Sequence, residues 1–491
     1  MDKLLAESTA LASIPLSREE DQYDKTAKTL VNKLGKLSPN EITPAKEDLD
    51  AIPPSDHTIL YTYMLVAGIE VSAASGKVAP RQLPSTVLPE GALWPYIAQL
   101  LLEFDPVQAR YCGAQFLRIV DCVAMGAEQT SNYVPAIQLL YHVILRLDAT
   151  SSCLTSTHRT FLRLCLLSQA YAEAARILDH PIYHIPSLRQ DLRSNRCLCS
   201  NSDQPWSFLS PVTGLSQPIT SRTYLEYYLM GGMCYMALGR YKDAMFFLEV
   251  VFTAPAVQNV ASLLMVDAYK KWLFLGLLLT GASRPIPRSA NQNAIKHIRA
   301  LARPYEAVTE AFKGRDVEKL RTEIEAGNLV WQDDGNYGLA IEVFQAFRKF
   351  AVQRLSRTFA ALSIAEVATR TSPDPSDLAE TKAYVDMLIQ NGELSAAITE
   401  SANGDQTLRF LPTTAATRPE AQFQSALAAQ TLELQAILRH VHDTEHRLEV
   451  SKEYIDYLKK LKKIREEKQE GKVTGRGTVD EDIDEDMMEE I

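Results

Sequence analysis

The sequence predicts a mainly α protein: a solenoid of paired helices, a smaller module of helices and a hairpin, and a long C-terminal helix. Three observations lead there. Apolar residues recur at three- and four-residue steps through most of the first 390 positions, as in 133–147, 161–178 and 305–324, the period of a helix with one buried face. A pattern of small residues and tyrosines recurs between 171 and 248. Apolar residues seven apart run from Leu434 to Ile455, a spacing that asks for partner helices.

The totals exclude several classes. The chain has 491 residues, 46% hydrophobic and 23% charged, room for roughly two to four domains with real cores. The formal net charge is −10, but eight acidic residues lie in 480–491, and without them the charge is −2. A nearly neutral body predicts no nucleic acid as a bulk partner. The most apolar stretches, 59–69 and 272–281, fall short of the roughly 20 residues of a spanning helix and read as buried helices, so no membrane partner is expected. The N-terminus lacks the apolar run of a secretory signal. Seven cysteines, mostly in apolar helical contexts, suit free thiols in a cytosolic or nuclear protein.

Residues 1–220 read as N-terminal helical repeats, interrupted by Pro-, Ser- and Gly-rich loops at 37–56, 77–91 and 194–220. The last is long for a compact domain and is expected to drape over the surface or break the array. Residues 221–335 continue the repeats. In "GGMCYMALGRYKDAMFFLEVVFTAP" (231–255), Gly232 takes the small-residue position of a tetratricopeptide-like pair. Tyr235 follows it, Gly239 begins the turn, Tyr241, Ala244 and Leu248 lie on the second helix, and Pro255 ends the unit. Small residues at 232 and 244 let the helices approach, while the tyrosines fill the groove between units. Tyr171-x-x-Ala174 matches Tyr241-x-x-Ala244 at a distance of 70, about two periods of a 34-residue repeat. One pair cannot bury its own apolar face, so several stack.

Residues 338–412 change character. An apolar helix runs to about Leu355, and a short helix follows with Ser363 as N-cap and Glu366 at the capping-box spacing. After "TSPDPSD", Ser376 or Asp377 caps a helix over 378–392 that closes on Asn391-Gly392. "ELSAAITE" and "TLRFL" read as two short strands around "SANGDQ". Helix, turn, helix and hairpin is the layout of a winged helix. A DNA-reading second helix needs basic or amide side chains, but this one offers Glu380, Lys382 and Asp386. A protein–protein module is favoured. Its strands are expected to leave unpaired edges, a route to assembly, with Ile398, Leu408, Phe410 and Leu411 as the interface residues.

Residues 418–468 read as one long helix. Leu434, Val441, Leu448 and Ile455 are spaced by seven, with Ile437 and Leu458 on the same seam. Such a helix spans about 75 Å, more than a compact domain covers, so part of the seam is expected on other subunits. The run "KKLKKIREEK" (459–468) reads as a solvated helix face with glutamate partners or as a nuclear localisation signal. Residues 471–491 read as an acidic, disordered tail.

A search for chemistry finds little. "HVHDTEH" (440–446) contains His442-x-x-Glu445-His446, the inverted zincin pattern. It also contains His440-x-His442 with Ser451 and Glu453 downstream, a near miss for a zinc isopeptidase set. Residues two apart on a helix point about 200° apart, and no third ligand is apparent where catalytic zinc takes three. Cys197-Leu198-Cys199 lacks two further ligands. No P-loop, dinucleotide fingerprint or nucleophile elbow is present. The expectation is no catalytic residue, no metal and no cofactor.

Stacked helix pairs, then a winged helix, then a terminal helix is the order of PCI-domain proteins. These are scaffold subunits of the COP9 signalosome, the proteasome lid and translation initiation factor three. Within that group the chain resembles the subunit 3 family of the COP9 signalosome. The match lies on "YYLMGGMCYMALGRYKDAMFFLEVVFTAPA" (227–256) and "DAYKKWLFLGLLLTG" (267–281). "SRTFAALSIAEVATR" (356–370) and "YVDMLIQNGELSAAI" (384–398) add the winged-helix portion. These blocks lie between 227 and 398 in the central part of the chain and would make 221–412 a PCI domain. The resemblance implies a non-catalytic scaffold in the complex that removes the ubiquitin-like modifier NEDD8 from cullins in cullin–RING ligases. The zinc isopeptidase would be another subunit. It further implies a winged-helix ring with subunits 1 and 8 as neighbours, a C-terminal helical bundle, and a place in cytoplasm and nucleus. A PCI subunit of the proteasome lid or of initiation factor three is the alternative. A PCI protein of messenger-RNA export would need a basic winged helix.

Overall fold

The computed structural model describes residues 2–15, 19–44, 46–75, 82–186, 197–200, 205–255, 261–314, 317–372, 376–400, 406–411, 420–450 and 452–469. The acidic tail over 471–491 lies outside them, as does the turn over 401–405. Helices dominate, and the described chain forms two compact units. The first runs to Leu355 and includes 370–372; the second holds 356–369 and the described residues from 376 on.

The first unit is a stack of helix pairs around one apolar cluster that extends from Leu11 to Phe347. The packing does not break at residue 220. Helix Ser156–Leu167 lies before that position and Ser221–Ala237 after it, yet buried His158 meets buried Tyr227 with ring centroids 6.2 Å apart. Helix Tyr337–Leu355, assigned from sequence to the second module, packs with the first. Its Ala340, Val343 and Phe347 are buried and complete the apolar cluster.

The pair Ser221–Ala237 and Tyr241–Thr253 shows why the small residues stand where they do. A Cβ on Gly232 would stand 3.0 Å from Leu248 Cδ2. A Cβ on Gly231 would meet the Phe247 ring at 2.7 Å and Leu178 at 2.9 Å. Ala244 and Leu248 are fully buried, and Tyr235 nearly so. Gly231 was not singled out from sequence, yet it makes the tighter approach.

The joints between paired helices repeat one geometry three times. Gln169, Gly239 and Gly335 adopt φ of 58°, 71° and 67°. The next residue's amide then donates back five positions: Ala170 to Cys165 O at 2.9 Å, Arg240 to Tyr235 O at 2.9 Å, and Asn336 to Trp331 O at 2.8 Å. This is the six-to-one bond of a Schellman turn, which satisfies a carbonyl left over at the helix end. A tyrosine opens each following helix, at 171, 241 and 337, and a fully buried alanine follows three residues later, at 174, 244 and 340. The third copy escapes a search by period because it lies 96 residues beyond the second.

Polar links cross between pairs. Tyr235 OH donates to Asp179 Oδ1 at 2.9 Å, and Arg240 Nη1 lies 2.8 Å from the same oxygen. Tyr241 OH donates to Glu342 Oε2 at 2.9 Å. Lys270 Nζ lies 2.7 Å from Asp334 Oδ2, which also accepts from Tyr305 OH at 2.8 Å, and Asn336 Nδ2 donates to Tyr305 at 2.8 Å. Buried polar groups are tolerated because they are paired in this way.

The long loop is a correction. Its described parts are not draped over the surface: Phe208, Leu209 and Leu215 are buried. Gln217 N donates to Ser156 Oγ at 3.0 Å, Ser156 N donates to Ser216 Oγ at 3.1 Å, and Arg110 Nη1 donates to Leu198 O and Ser200 O. Hydroxyls that read as loop formers are spent on stitching the segment to the helices.

In the second unit, Ser363 Oγ accepts from Glu366 N at 3.2 Å at the start of helix Ile364–Thr371. Asp377 Oδ1 accepts from Glu380 N at 2.9 Å at the start of Leu378–Gln390. Gly392, at φ 70°, closes that helix, with Glu393 N donating to Leu388 O at 2.9 Å. The sheet has three antiparallel strands rather than two: β1 (Ala361–Ser363), β2 (Ala396–Glu400) and β3 (Gln406–Phe410), in the order β1-β3-β2. β3 is therefore the central strand, with Leu362↔Leu408 on one side and Ile398↔Leu408 on the other. It offers no free edge. Leu408 is fully buried and Phe410 nearly so, which removes both from the expected interface set.

Two outcomes follow from this packing. Gly231→Val should lower stability by about 1–3 kcal/mol through overpacking, whereas Gly239→Ala, with nothing within 4 Å of its Cβ, should cost about 1 kcal/mol from backbone strain alone. Thermal melts by circular dichroism would rank them; equal losses would contradict the close-approach account. Leu408→Asp should unfold the sheet of the second unit, at more than about 3 kcal/mol. Leu411→Asp, at an exposed position, should shift stability by no more than about 0.5 kcal/mol. Amide exchange in β3 reads this directly, and intact protection in Leu408→Asp would contradict it.

Candidate functional site

The strongest candidate is a surface rather than a pocket. Helices Glu420–Val450 and Lys452–Gln469 occupy the described part of the region expected as one helix, on either side of residue 451, which lies outside the described residues. At 1.5 Å per residue, the first is about 46 Å long. Every described side chain on it is exposed except that of His440, which is half-buried.

The heptad residues are among those exposed. Their fractional exposure runs from 36% at Ile455, through Leu458, Val441, Ile437 and Leu448, to 61% at Leu434. Leu427 continues the same spacing toward the N-terminus, with Phe423 four residues before it, and both are exposed. Sequence reading started the seam one heptad late. Leu432 and Leu438 are exposed too and fall outside the seam, so more than one face of the helix is apolar. Soluble monomers rarely leave so long an apolar stripe in water. Covering the six seam residues would contribute on the order of 10 kcal/mol before the costs of association.

The sheet module offers less. Of the four interface residues expected there, Leu411 is exposed and Ile398 is half-buried on the edge strand β2. Helix Leu378–Gln390 buries Thr381, Val385 and Leu388 and carries Glu380, Lys382 and Asp386, with no basic face for phosphate.

The places that resemble chemical sites resolve as follows. His442 and His446 lie on one face with Nε2 atoms 3.2 Å apart. Among the described residues, no third His, Cys, Asp or Glu joins them. Cys197 Sγ donates to Asp21 Oδ1 at 3.4 Å, and Cys199 Sγ donates to Glu20 O at 3.3 Å, tying 197–200 to helix Glu20–Leu34. Burial, then the bond to Asp21, pushes the Cys197 thiol up to about 11, the reverse of what a thiolate ligand or nucleophile needs. His158 is a packing residue. Its ring bonds Ser151 Oγ at 2.9 Å and Thr155 Oγ1 at 2.8 Å, and burial holds its pKa down to about 4. All seven cysteines are free. Among the described residues, no helix is long and apolar enough to cross a membrane.

Comparison with known proteins agrees with the stacked helices of the first unit. The profile of the family described as COP9 signalosome complex subunit 3, N-terminal helical repeats, matches residues 21–293. A COP9 signalosome complex subunit 3 from Emericella nidulans is 32% identical over 445 residues, covering 90% of this chain and 89% of the relative. One from Neurospora crassa is 27% identical, covering 74% of each chain. One from Drosophila melanogaster is 25% identical, covering 72% of this chain and 73% of the relative. The profile spans more than half of the sequence and the first of these alignments nearly all of it, so the chain belongs to the COP9 signalosome complex subunit 3 family.

Proposed function

We propose that this chain is a non-catalytic scaffold subunit of the COP9 signalosome, acting in the removal of NEDD8 from cullins without supplying a reacting group. The observation that carries this reading is the exposed heptad seam from Leu427 to Leu458. A folded chain that leaves such a stripe in water is built to receive other helices. The first unit is held together by one continuous apolar cluster and paired polar links. The incomplete part is the C-terminal helix.

In this reading the C-terminal helices enter a bundle with helices of other subunits, and the edge strand β2 with Leu411 meets a neighbouring PCI module. Subunits 1 and 8 are the proposed neighbours, and cullin–RING ligases are reached through the assembled complex. Among the described residues no group of three or more metal ligands converges, and in this reading catalysis resides on another subunit. Seven free thiols suit a reducing compartment, and we place the chain in cytoplasm and nucleus.

The test is co-expression with the other subunits and capture on an N-terminal tag of this chain, read by mass spectrometry. Leu434→Asp with Leu448→Asp should reduce recovery of partner subunits at least about tenfold, since each charge enters an apolar seam. The thermal melt of the isolated chain should change by no more than about 0.5 kcal/mol per site, because both positions are exposed there. Undiminished recovery of partners with the double variant would refute the seam as the assembly surface.

A further inference from the structure

The histidine pair has a geometry that the assembly role does not use. His442 and His446 stand one turn apart on helix Glu420–Val450, both exposed. Residues four apart share a helix face, and here the rings lie with centroids 4.4 Å apart and Nε2 atoms 3.2 Å apart. Two nitrogens each about 2.0–2.1 Å from one metal ion and 3.2 Å from each other subtend about 100–106° at that ion, close to a tetrahedral angle. The separation also suits a hydrogen bond between opposite tautomers, so the unmetallated pair is not strained.

We infer that His442 and His446 form a two-imidazole site for a divalent transition-metal ion of the zinc, nickel or copper class. Imidazole selects these ions over calcium and magnesium, which take oxygen ligands. Among the described residues no third side-chain ligand joins the pair; water or a carboxylate brought by a partner would complete the coordination. The site is thus not the inverted zincin centre that the H-x-x-E-H spacing suggests, and Glu445 takes no part in it.

The position matters. Val441 and Leu448 lie on the seam; His442 and His446 follow Val441 by one and five residues, which turns them about 100° and 140° away from it. A metal bound there leaves the seam accessible, and partner helices on the seam leave the metal accessible. The ion would bridge successive turns and bind the helix but not the coil, so it would stabilise the helix by linkage. The inference therefore stands or falls independently of the assembly reading.

The test uses the full chain carrying a histidine-free tag, with Ni²⁺ as the probe, by isothermal titration calorimetry at neutral pH. The expected result is one Ni²⁺ per chain, with His442→Ala and His446→Ala each weakening binding at least about tenfold, the scale on which disturbing a metal's ligand environment tells. His440→Ala, two residues from the pair and turned about 200° from His442, should bind as the parent does. Circular dichroism should show added helix stability on Ni²⁺ addition in the parent and none in His442→Ala. Saturating Ni²⁺ binding that survives both substitutions, or no binding by the parent chain, would overturn the inference.

Discussion

A two-helix unit has more apolar surface than its own partner helix can cover, and everything else in this chain answers that constraint. In the first unit the answer is close stacking. Gly231 and Gly232 remove the side chains that would hold helices Ser221–Ala237 and Tyr241–Thr253 apart, and Phe247, Leu248 and Leu178 fill the space gained. Each pair then presents its remaining apolar face to the next, and the cluster grows from Leu11 to Phe347 without a break.

The stack needs joints that return the chain at a fixed angle. The three Schellman turns at Gln169, Gly239 and Gly335 supply them. Their positive φ lets the chain reverse within two residues, and the acceptor in each case is a buried residue, Cys165, Tyr235 or Trp331. The joints are tied to the neighbouring pairs through Asp179, Glu342 and Asp334. Local turn chemistry and long-range packing thus specify the same arrangement, the consistency that a single native state requires. The C-terminal helix follows the same constraint with a different result: its described seam residues are exposed, and in the proposed role other subunits cover them.

Much of this was legible from sequence, and the physical reasons for the gaps are specific. Tyr235, Ala244 and Leu248 are buried and Tyr241 bonds Glu342, positions that local helical period marks in the sequence. The caps at Ser363 and Asp377 were legible for the same reason. The third copy of the turn was hidden by an irregular interval. β1 was missed because three residues carry no measurable alternation, and that omission made β3 look like an edge and Leu408 like a surface residue. Clustered Pro, Ser, Gly and Asn over 194–220 point to a loop that drapes over the surface or breaks the array, yet Ser210, Leu215 and Ser216 are buried; composition cannot say which hydroxyls find partners. The apolar residues at heptad spacing were legible from Leu434 onward, and Phe423 and Leu427, also exposed, continue the spacing.

The proposed role makes the first unit self-supporting and the C-terminal helices dependent on other subunits. Hydrogen–deuterium exchange, read by mass spectrometry on the purified chain and again on the chain in its assembly, tests this most directly. The amides in Ser221–Ala237 and Leu263–Thr280 should exchange slowly in both states. Those across Glu420–Val450 should exchange fast in the isolated chain and become strongly protected in the assembly. Protection of that helix in the isolated chain equal to its protection in the assembly would contradict it.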